Sequence, residues 1–349
     1  MPRRTGCRPA RPGRERLQAT VGDLAALRQG RQMGRRHGQE LHPALGTGHR
    51  RQRRCAVSTG QRRQVTGLRF PVRSHGLRPE SKADVFESSK NSAKGVIFMS
   101  EFWNKAFDLN GRCAVITGGA AGIGLACARL LVERGARVAL LDRDLTLVDV
   151  AASLGSGNIG ITVDLRRIDQ VNSTIDTVFE HFKRIDYLVN SAGVAVLDKA
   201  VDVSEDAWDT TLDINLKASF FVAQACARHM LTQGSGRIVN LASQAAVIGL
   251  DRHVAYCASK AALVGMTKVL AMEWAPHINV NAISPTIVET ALGKKAWAGE
   301  VGERAKSQIP AGRFAQPEEI AGLALYLLSD AASMITGENV VIDGGYSIQ

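Results

Sequence analysis

From Cys113 to the end of the chain, short apolar runs alternate with longer amphipathic stretches. That rhythm is the mark of repeated βα units wound around a parallel sheet. Strands are expected near 113–117, 136–142, 159–164, 185–190, 236–242, 278–283 and 338–342, and helices near 122–134, 144–153, 167–183, 204–232, 255–275 and 317–329. The helix at 122–134 puts Ile123, Cys127, Leu130 and Leu131 on one face and halts before Gly135, a residue type that accepts the left-handed conformation closing many helices. The helix at 317–329 opens with Pro317, Glu318 and Glu319, where a fixed φ and two acids suit the positive end of the helix dipole. The pattern predicts one doubly wound α/β domain with about seven parallel strands flanked by helices.

The first 98 residues have a different texture. Residues 1–80 contain 19 arginines and no lysine, and residues 1–98 hold 22 basic against 6 acidic side chains, without Trp, Tyr or a sustained apolar period. Such a segment cannot bury enough apolar surface to offset chain entropy, and it reads as a disordered leader. Met99 opens a self-sufficient sequence, so residues 1–98 are expected to be dispensable and even untranslated, with residues 99–349 forming the working domain. The leader also explains the whole chain's net charge of +11: 44 − 22 = 22 basic and 33 − 6 = 27 acidic residues remain after it, a balance of −5. The globular part is therefore not a nucleic-acid binder by charge. A transit peptide and a nucleic-acid-binding arm are weaker readings of the leader, because serine is missing until Ser58 and no aromatics are interleaved with the arginines. Six cysteines without a CxxC pair point to a reducing compartment, taken here as the cytoplasm. No uninterrupted apolar stretch approaches the length of a membrane span, and no metal-ligand spacing is evident.

Chemistry enters at the strand ends. The first strand runs into Gly118-Gly-Ala-Ala-Gly122-Ile123-Gly124 and then a helix. In that context Gly118 allows a tight turn, Gly122 lets backbone approach a pyrophosphate, and Gly124 seats the helix against the strand. Asp142 ends the second strand, where a carboxylate accepts adenosine ribose hydroxyls and repels a 2′-phosphate. This selects NAD over NADP, with Arg143 alongside as the complicating charge. The strand at 236–242 delivers Ser243, and Tyr256 and Lys260 follow at i and i+4, on one helix face. An ammonium beside a phenol favours the phenolate, which would bring the Tyr256 pKa well below 10 and make it a usable base. Ser243 can donate to a substrate oxygen.

Together these motifs make residues 107–349 resemble the short-chain dehydrogenase/reductase family, with its Rossmann-type sheet. Thr117-Gly118-x-x-x-Gly122-x-Gly124 is similar to the family's cofactor loop, Asp164 to the acid that meets the adenine, and Asn190-Ser191-Ala192-Gly193 to its Asn-Asn-Ala-Gly element. Asn215, Ser243, Tyr256 and Lys260 match the family's catalytic tetrad, in which Asn215 holds a water on the proton's way out and Lys260 also holds the nicotinamide ribose. Pro285 and Thr290 fall at family positions beside the nicotinamide. Two residues depart from the pattern: Ser191 replaces an Asn, and Thr286 stands where Gly is usual.

Residues 286–315, with Lys294, Lys295 and Trp297, are too long for a turn and read as a lid beside the site, the alternative being a short surface helical hairpin with no gating role. Gln244 and His253 would line a polar pocket mouth with Trp297, which suits a polyhydroxylated alcohol. The text of residues 284–297 is also similar to that of bacterial polyol dehydrogenases of this family. The expected activity is NAD-dependent interconversion of a secondary alcohol, such as a polyol or sugar alcohol, and its ketone, with Tyr256 as general base. The alternatives are an NADPH-linked 3-oxoacyl-thioester reductase and a non-catalytic cofactor sensor on the same fold. The resemblance further implies a homo-oligomer, dimers paired into a tetramer through the helices at 204–232 and 255–275.

Overall fold

The structure is a computed structural model that describes residues 101–348. The expectations for residues 1–98 lie outside the described residues. Seven strands, β1 (Cys113–Thr117), β2 (Arg137–Asp142), β3 (Ile159–Thr162), β4 (Tyr187–Asn190), β5 (Gly236–Leu241), β6 (Ile278–Pro285) and β7 (Asn339–Ile342), form one sheet. The order is β3-β2-β1-β4-β5-β6-β7, and every neighbouring pair is parallel.

Each strand carries apolar side chains on both faces, and their alternation divides the core into two layers. Ala114, Ile116, Val138, Leu140, Val189 and Ile283 pack with Cys127 and Leu131 of α1 (Gly122–Glu133), Leu147 of α2 (Leu147–Ser153) and the helix Pro317–Leu328 on one side. Val115, Ala139, Leu141, Leu188, Ile238 and Val280 pack on the other side with α3 (Ile168–Phe182) and the long helix after β4. A sheet buried on both faces reads as continuous apolar runs, and this is why the strands stand out in the sequence.

After β1 the chain builds β2 and β3 on one side and then crosses to β4 on the other. The crevice between β1 and β4 opens at the carboxyl ends of the strands. Ligands of open α/β sheets bind there.

The predicted helix at 204–232 is a continuous run with an interruption. We call it α4: Glu205–Leu212, a π-helical turn Asp213–Ala218, then Ser219–Gln233. The interruption has a local cause. The Ser219 hydroxyl donates to the Asn215 carbonyl at 3.0 Å, while the Asn215 side chain is drawn out to the backbone of Val194. α5 (Val254–Glu273) is 20 residues long and apolar enough to suit a membrane span by composition. It packs on β6, and its Lys260 is buried against β5. The segment expected to be a lid contains two short helices, α6 (Ala291–Ala296) and α7 (Glu300–Ser307), before α8 (Pro317–Leu328). Sequence periodicity missed both because they are too short to show a stripe. α8 starts as predicted, with Glu319 accepting from the Gln316 amide at 2.8 Å and pairing with Arg313 at 2.7 Å. The four cysteines among the described residues are free.

Candidate functional site

The turn after β1 is built for close backbone approach. Gly118 and Gly122 have φ of 67° and 57°, and a Cβ at Gly124 would lie 2.2 Å from the Gly118 carbonyl oxygen. Gly124 is thus the point where α1 rests on the strand end, and no side chain fits there. A Cβ at Gly122 would meet the Thr290 methyl at 3.1 Å, so the glycine turn faces the loop after β6. Asp142 lies over the same turn, its carboxylate accepting from the amides of Ala120 and Asp144, both at 3.2 Å. These residues fit a dinucleotide: bare backbone at a helix N-terminus for the pyrophosphate, with Ile123 in the first turn of α1, and a carboxylate at the end of β2 for a ribose.

Several residues predicted to touch the cofactor also have partners within the protein. The Thr117 hydroxyl accepts from the amides of Ser191 and Ala192 at 3.0 and 3.1 Å, which ties the end of β1 to the end of β4. Asn190 is buried and donates to Asn240 and to the Ser219 carbonyl, so its amide braces the sheet. Asp164 is gripped by the Arg166 guanidinium through contacts of 2.6 to 3.1 Å, and this fork holds its carboxyl below the usual carboxylate range. Gly193 has a positional role: a Cβ there would sit 3.2 Å from Asn215 Oδ1 and 3.6 Å from Lys260 Nζ. Thr290 caps α6 by accepting from the Gly293 amide at 3.0 Å, which leaves its hydroxyl proton to donate. Pro285 ends β6 beside it.

Asn215, Ser243, Tyr256 and Lys260 meet at the carboxyl end of the sheet. Ser243 follows β5 and accepts from the Ala245 amide at 3.2 Å, and its hydroxyl is near enough to the Tyr256 phenol to favour the phenolate. Lys260 Nζ lies 5.8 Å from the centre of the Tyr256 ring and donates to the Leu241 carbonyl at 2.7 Å. Asn215 is fully buried; its amide spans the Val194 backbone at 2.8 and 2.9 Å and donates to the Ser259 hydroxyl at 3.1 Å. Ser259 in turn donates to the Tyr256 carbonyl at 2.8 Å. The Asn215 amide, Ser259 and the Tyr256 backbone thus form one bonded chain, and Lys260 bonds separately to β5.

Their electrostatics differ from the sequence expectation in one respect. Burial pushes the Tyr256 phenol above its ordinary value of 10, and the nearby Ser243 hydroxyl only partly opposes this. Burial also lowers Lys260 to about 8. The anticipated depression of the phenol is therefore not produced by the protein's groups alone: the site is dry, and dryness disfavours phenolate and ammonium alike.

The sequence profile of a family described as Enoyl-(Acyl carrier protein) reductase matches residues 118–347. The chain is 55% identical over 249 residues to the NAD-dependent glycerol dehydrogenase of Listeria innocua, an alignment covering 71% of this chain and 98% of that protein. It is 50% identical over 248 residues to the D-threitol dehydrogenase of Mycolicibacterium smegmatis, covering 70% and 95%. Among solved structures it resembles a short-chain type dehydrogenase/reductase from Mycobacterium marinum, with a TM-score of 0.66 and 37% identity over 70% of this chain and 99% of that one. The chain belongs to the short-chain dehydrogenase/reductase family.

The glycine turn after β1 and the Ser243, Tyr256 and Lys260 group beside the end of β5 lie at the same, carboxyl, end of the strands. The three residues expected to line the substrate pocket are placed differently from one another. Gln244 is buried directly after Ser243, and His253 stands edge-on to Tyr256 with ring centres 6.0 Å apart. Trp297 packs on Phe314 at 6.3 Å within the 286–315 segment. Ser259 was missed by sequence reasoning. Its signal, a serine next to a candidate catalytic lysine, has no meaning until the π-helical turn brings Asn215 to it.

Proposed function

We propose that this protein is an NAD-dependent oxidoreductase that interconverts a secondary alcohol of a small polyol or sugar alcohol and the corresponding ketone. The observation that carries the reading is buried Lys260 with its Nζ 5.8 Å from the centre of the Tyr256 ring, at the same end of the sheet as Ser243, the glycine turn and Asp142. The glycerol and threitol dehydrogenases at 55% and 50% identity support the polyol class.

Gly118, Gly122, Ile123 and Gly124 would hold the pyrophosphate, Asp142 the adenosine ribose, and Thr290 the carboxamide. A bound oxidised nicotinamide supplies the hydride acceptor and a positive charge. Tyr256 takes the alcohol proton as general base, and Ser243 donates to the reacting oxygen. Lys260 lowers the cost of the phenolate and holds the ribose. Asn215 and Ser259 fix the lysine's surroundings, the former on the proton's way out to solvent. A 3-oxoacyl-thioester reductase is the weaker reading, because Asp142 opposes the 2′-phosphate of NADPH.

We further propose a cytoplasmic homo-oligomer. Val269 and Met272, 47% and 74% exposed on α5, form an apolar strip that a second copy would cover. Residues 1–98 are proposed to be dispensable for activity. The test of the function is steady-state kinetics with NAD and NADP over a panel of polyols, together with Tyr256→Phe. We expect NAD-linked polyol oxidation, and a loss of ~10² or more in turnover with cofactor binding retained in the variant. Near wild-type turnover by Tyr256→Phe would refute the assignment.

A further inference from the structure

The sheet order β3-β2-β1 lays out where the parts of a dinucleotide would fall. With the pyrophosphate on the glycine turn after β1 and the adenosine ribose on Asp142 at the end of β2, the purine base comes next, at the end of β3. Asp164 stands there, just past Thr162, the last residue of β3 and the partner of Asp142 across the strand pair. The Val163 amide donates to the Asp142 carbonyl at 2.8 Å and holds this strand end beside the ribose acid.

Asp164 does not stand alone. Its carboxylate accepts from Arg166 Nε at 3.0 and 3.1 Å, from Arg166 Nη2 at 2.6 Å and from the Arg166 amide at 3.1 Å. Both side chains are partly open to solvent, the arginine 47% and the acid 38% exposed. An ion pair that wet adds little to stability, so a ligand can share it at small cost. The guanidinium also lies within electrostatic reach of Asp206 and Asp213 on α4, which keeps it between the end of β3 and the helix after β4. The family resemblance assigns Asp164 to the adenine and assigns nothing to Arg166.

The chemistry of the pair differs from that of a lone acid. A carboxylate only accepts, and a guanidinium only donates, through several N–H groups. The fork uses Nε and Nη2, and Nη1 has no partner among the described residues. Asp164 and Arg166 thus present an acceptor and a donor side by side. A 6-aminopurine offers N6–H beside the N1 acceptor, and a 6-oxopurine offers the O6 acceptor beside N1–H. Each edge is a donor next to an acceptor, in opposite order. A lone carboxylate suits only the first, because O6 would face a negative charge with no donor to meet it.

We propose that Arg166 is a base-specificity residue: paired with Asp164, it lets the cofactor site take the nicotinamide dinucleotide of either a 6-aminopurine or a 6-oxopurine, adenine or hypoxanthine. This rests on the NAD reading above and extends it to a side chain outside the motif.

The probes are NADH and reduced nicotinamide hypoxanthine dinucleotide, titrated on the full chain by nicotinamide fluorescence, which needs no turnover. In wild type the two dissociation constants should agree within ~3-fold. Arg166→Ala strands O6 against the carboxylate and should weaken the hypoxanthine form ~10-fold or more relative to NADH. Asp164→Ala leaves the guanidinium alone and should reverse the preference, toward the hypoxanthine form. Asp164→Asn in the Arg166→Ala background puts an acceptor and a donor on one side chain and should return the ratio to within ~3-fold. The variants alter partly exposed side chains and should melt within ~2 °C of wild type; if Arg166→Ala does not fold, Arg166→Met serves in its place. A wild-type ratio above ~30-fold, or a ratio that Arg166→Ala leaves unchanged, overturns the proposal, while NADH binding keeps the cofactor reading intact. An Arg166→Ala effect confined to NADPH would assign the guanidinium to a 2′-phosphate and overturn it too. If wild type binds neither dinucleotide, the NAD reading itself has failed and the proposal falls with it.

Discussion

Replacing Lys260 by Met should abolish most catalysis and at the same time stabilise the ligand-free protein. Lys260 is 5% exposed, and burial lowers its pKa from 10.5 to about 8. The difference corresponds to roughly 3 kcal/mol of penalty for keeping the side chain charged in the folded state at neutral pH. Its hydrogen bond to the Leu241 carbonyl returns ~1.5–3 kcal/mol for a charged donor. A methionine of similar length avoids the first and forfeits the second, so a net gain near 1 kcal/mol is expected, or about 2–4 °C in Tm. The pH dependence is the sharper test. The folded lysine is depressed, so between about 8 and 10.5 the unfolded chain binds more protons, and wild-type stability rises with pH across that window. Below pH 8 the lysine is charged in both states and the penalty is fully present. The advantage of Lys260→Met should therefore be largest at pH 7 and gone by pH 10. Thermal and urea unfolding of both proteins at pH 7, 8.5 and 10 measure it. A Lys260→Met protein less stable than wild type at pH 7, with no change in the difference up to pH 10, would refute the reasoning.

Asp142→Ser should weaken NAD binding and raise the relative use of NADP, read as the ratio of kcat/KM for the two cofactors; an unchanged ratio would remove Asp142 from the ribose. Gly124→Ala sets a Cβ 2.2 Å from the Gly118 carbonyl and should cost ~1–3 kcal/mol along with cofactor affinity. Gly322→Ala, in open space inside α8, should stabilise by up to ~1 kcal/mol, so Tm should move in opposite directions in the two variants. Ser243→Ala should cut the rate far more than it changes the NADH dissociation constant, and alcohol oxidation should rise with pH in wild type as the buried phenol ionises.

What could be read from the chain divides along physical lines. Strands buried on both faces announce themselves as apolar runs, so the expected bounds of β1 to β7 all lie within two residues of those observed. Glycines constrained by backbone contact were equally legible: Gly118, Gly122 and Gly124 needed only their position between a strand and a helix. The ionisation of Tyr256 was not legible. It depends on how dry the site is, and dryness is set by α4, α5 and the strand ends closing together. Nor was the occupation of Thr117, Asn190 and Asp164 by interior or neighbouring partners, because a motif states which residues recur and not which bonds they already make. The short helices α6 and α7 agree with the helical-hairpin alternative for residues 286–315, while neither is long enough to show a period that would fix its bounds.

The pair of hydrogen bonds between the Asn215 amide and the Val194 backbone has a consequence for how such an enzyme can diversify. That clasp and the Ser259 bridge fasten the reacting groups to β4, α4 and α5. Residues 286–315, in contrast, carry packing of their own, with Trp297 resting on Phe314 inside the segment itself. None of the groups in the Asn215 clasp or the Ser259 bridge comes from residues 286–315, so that segment can be rewritten in descendants of this sequence without breaking either.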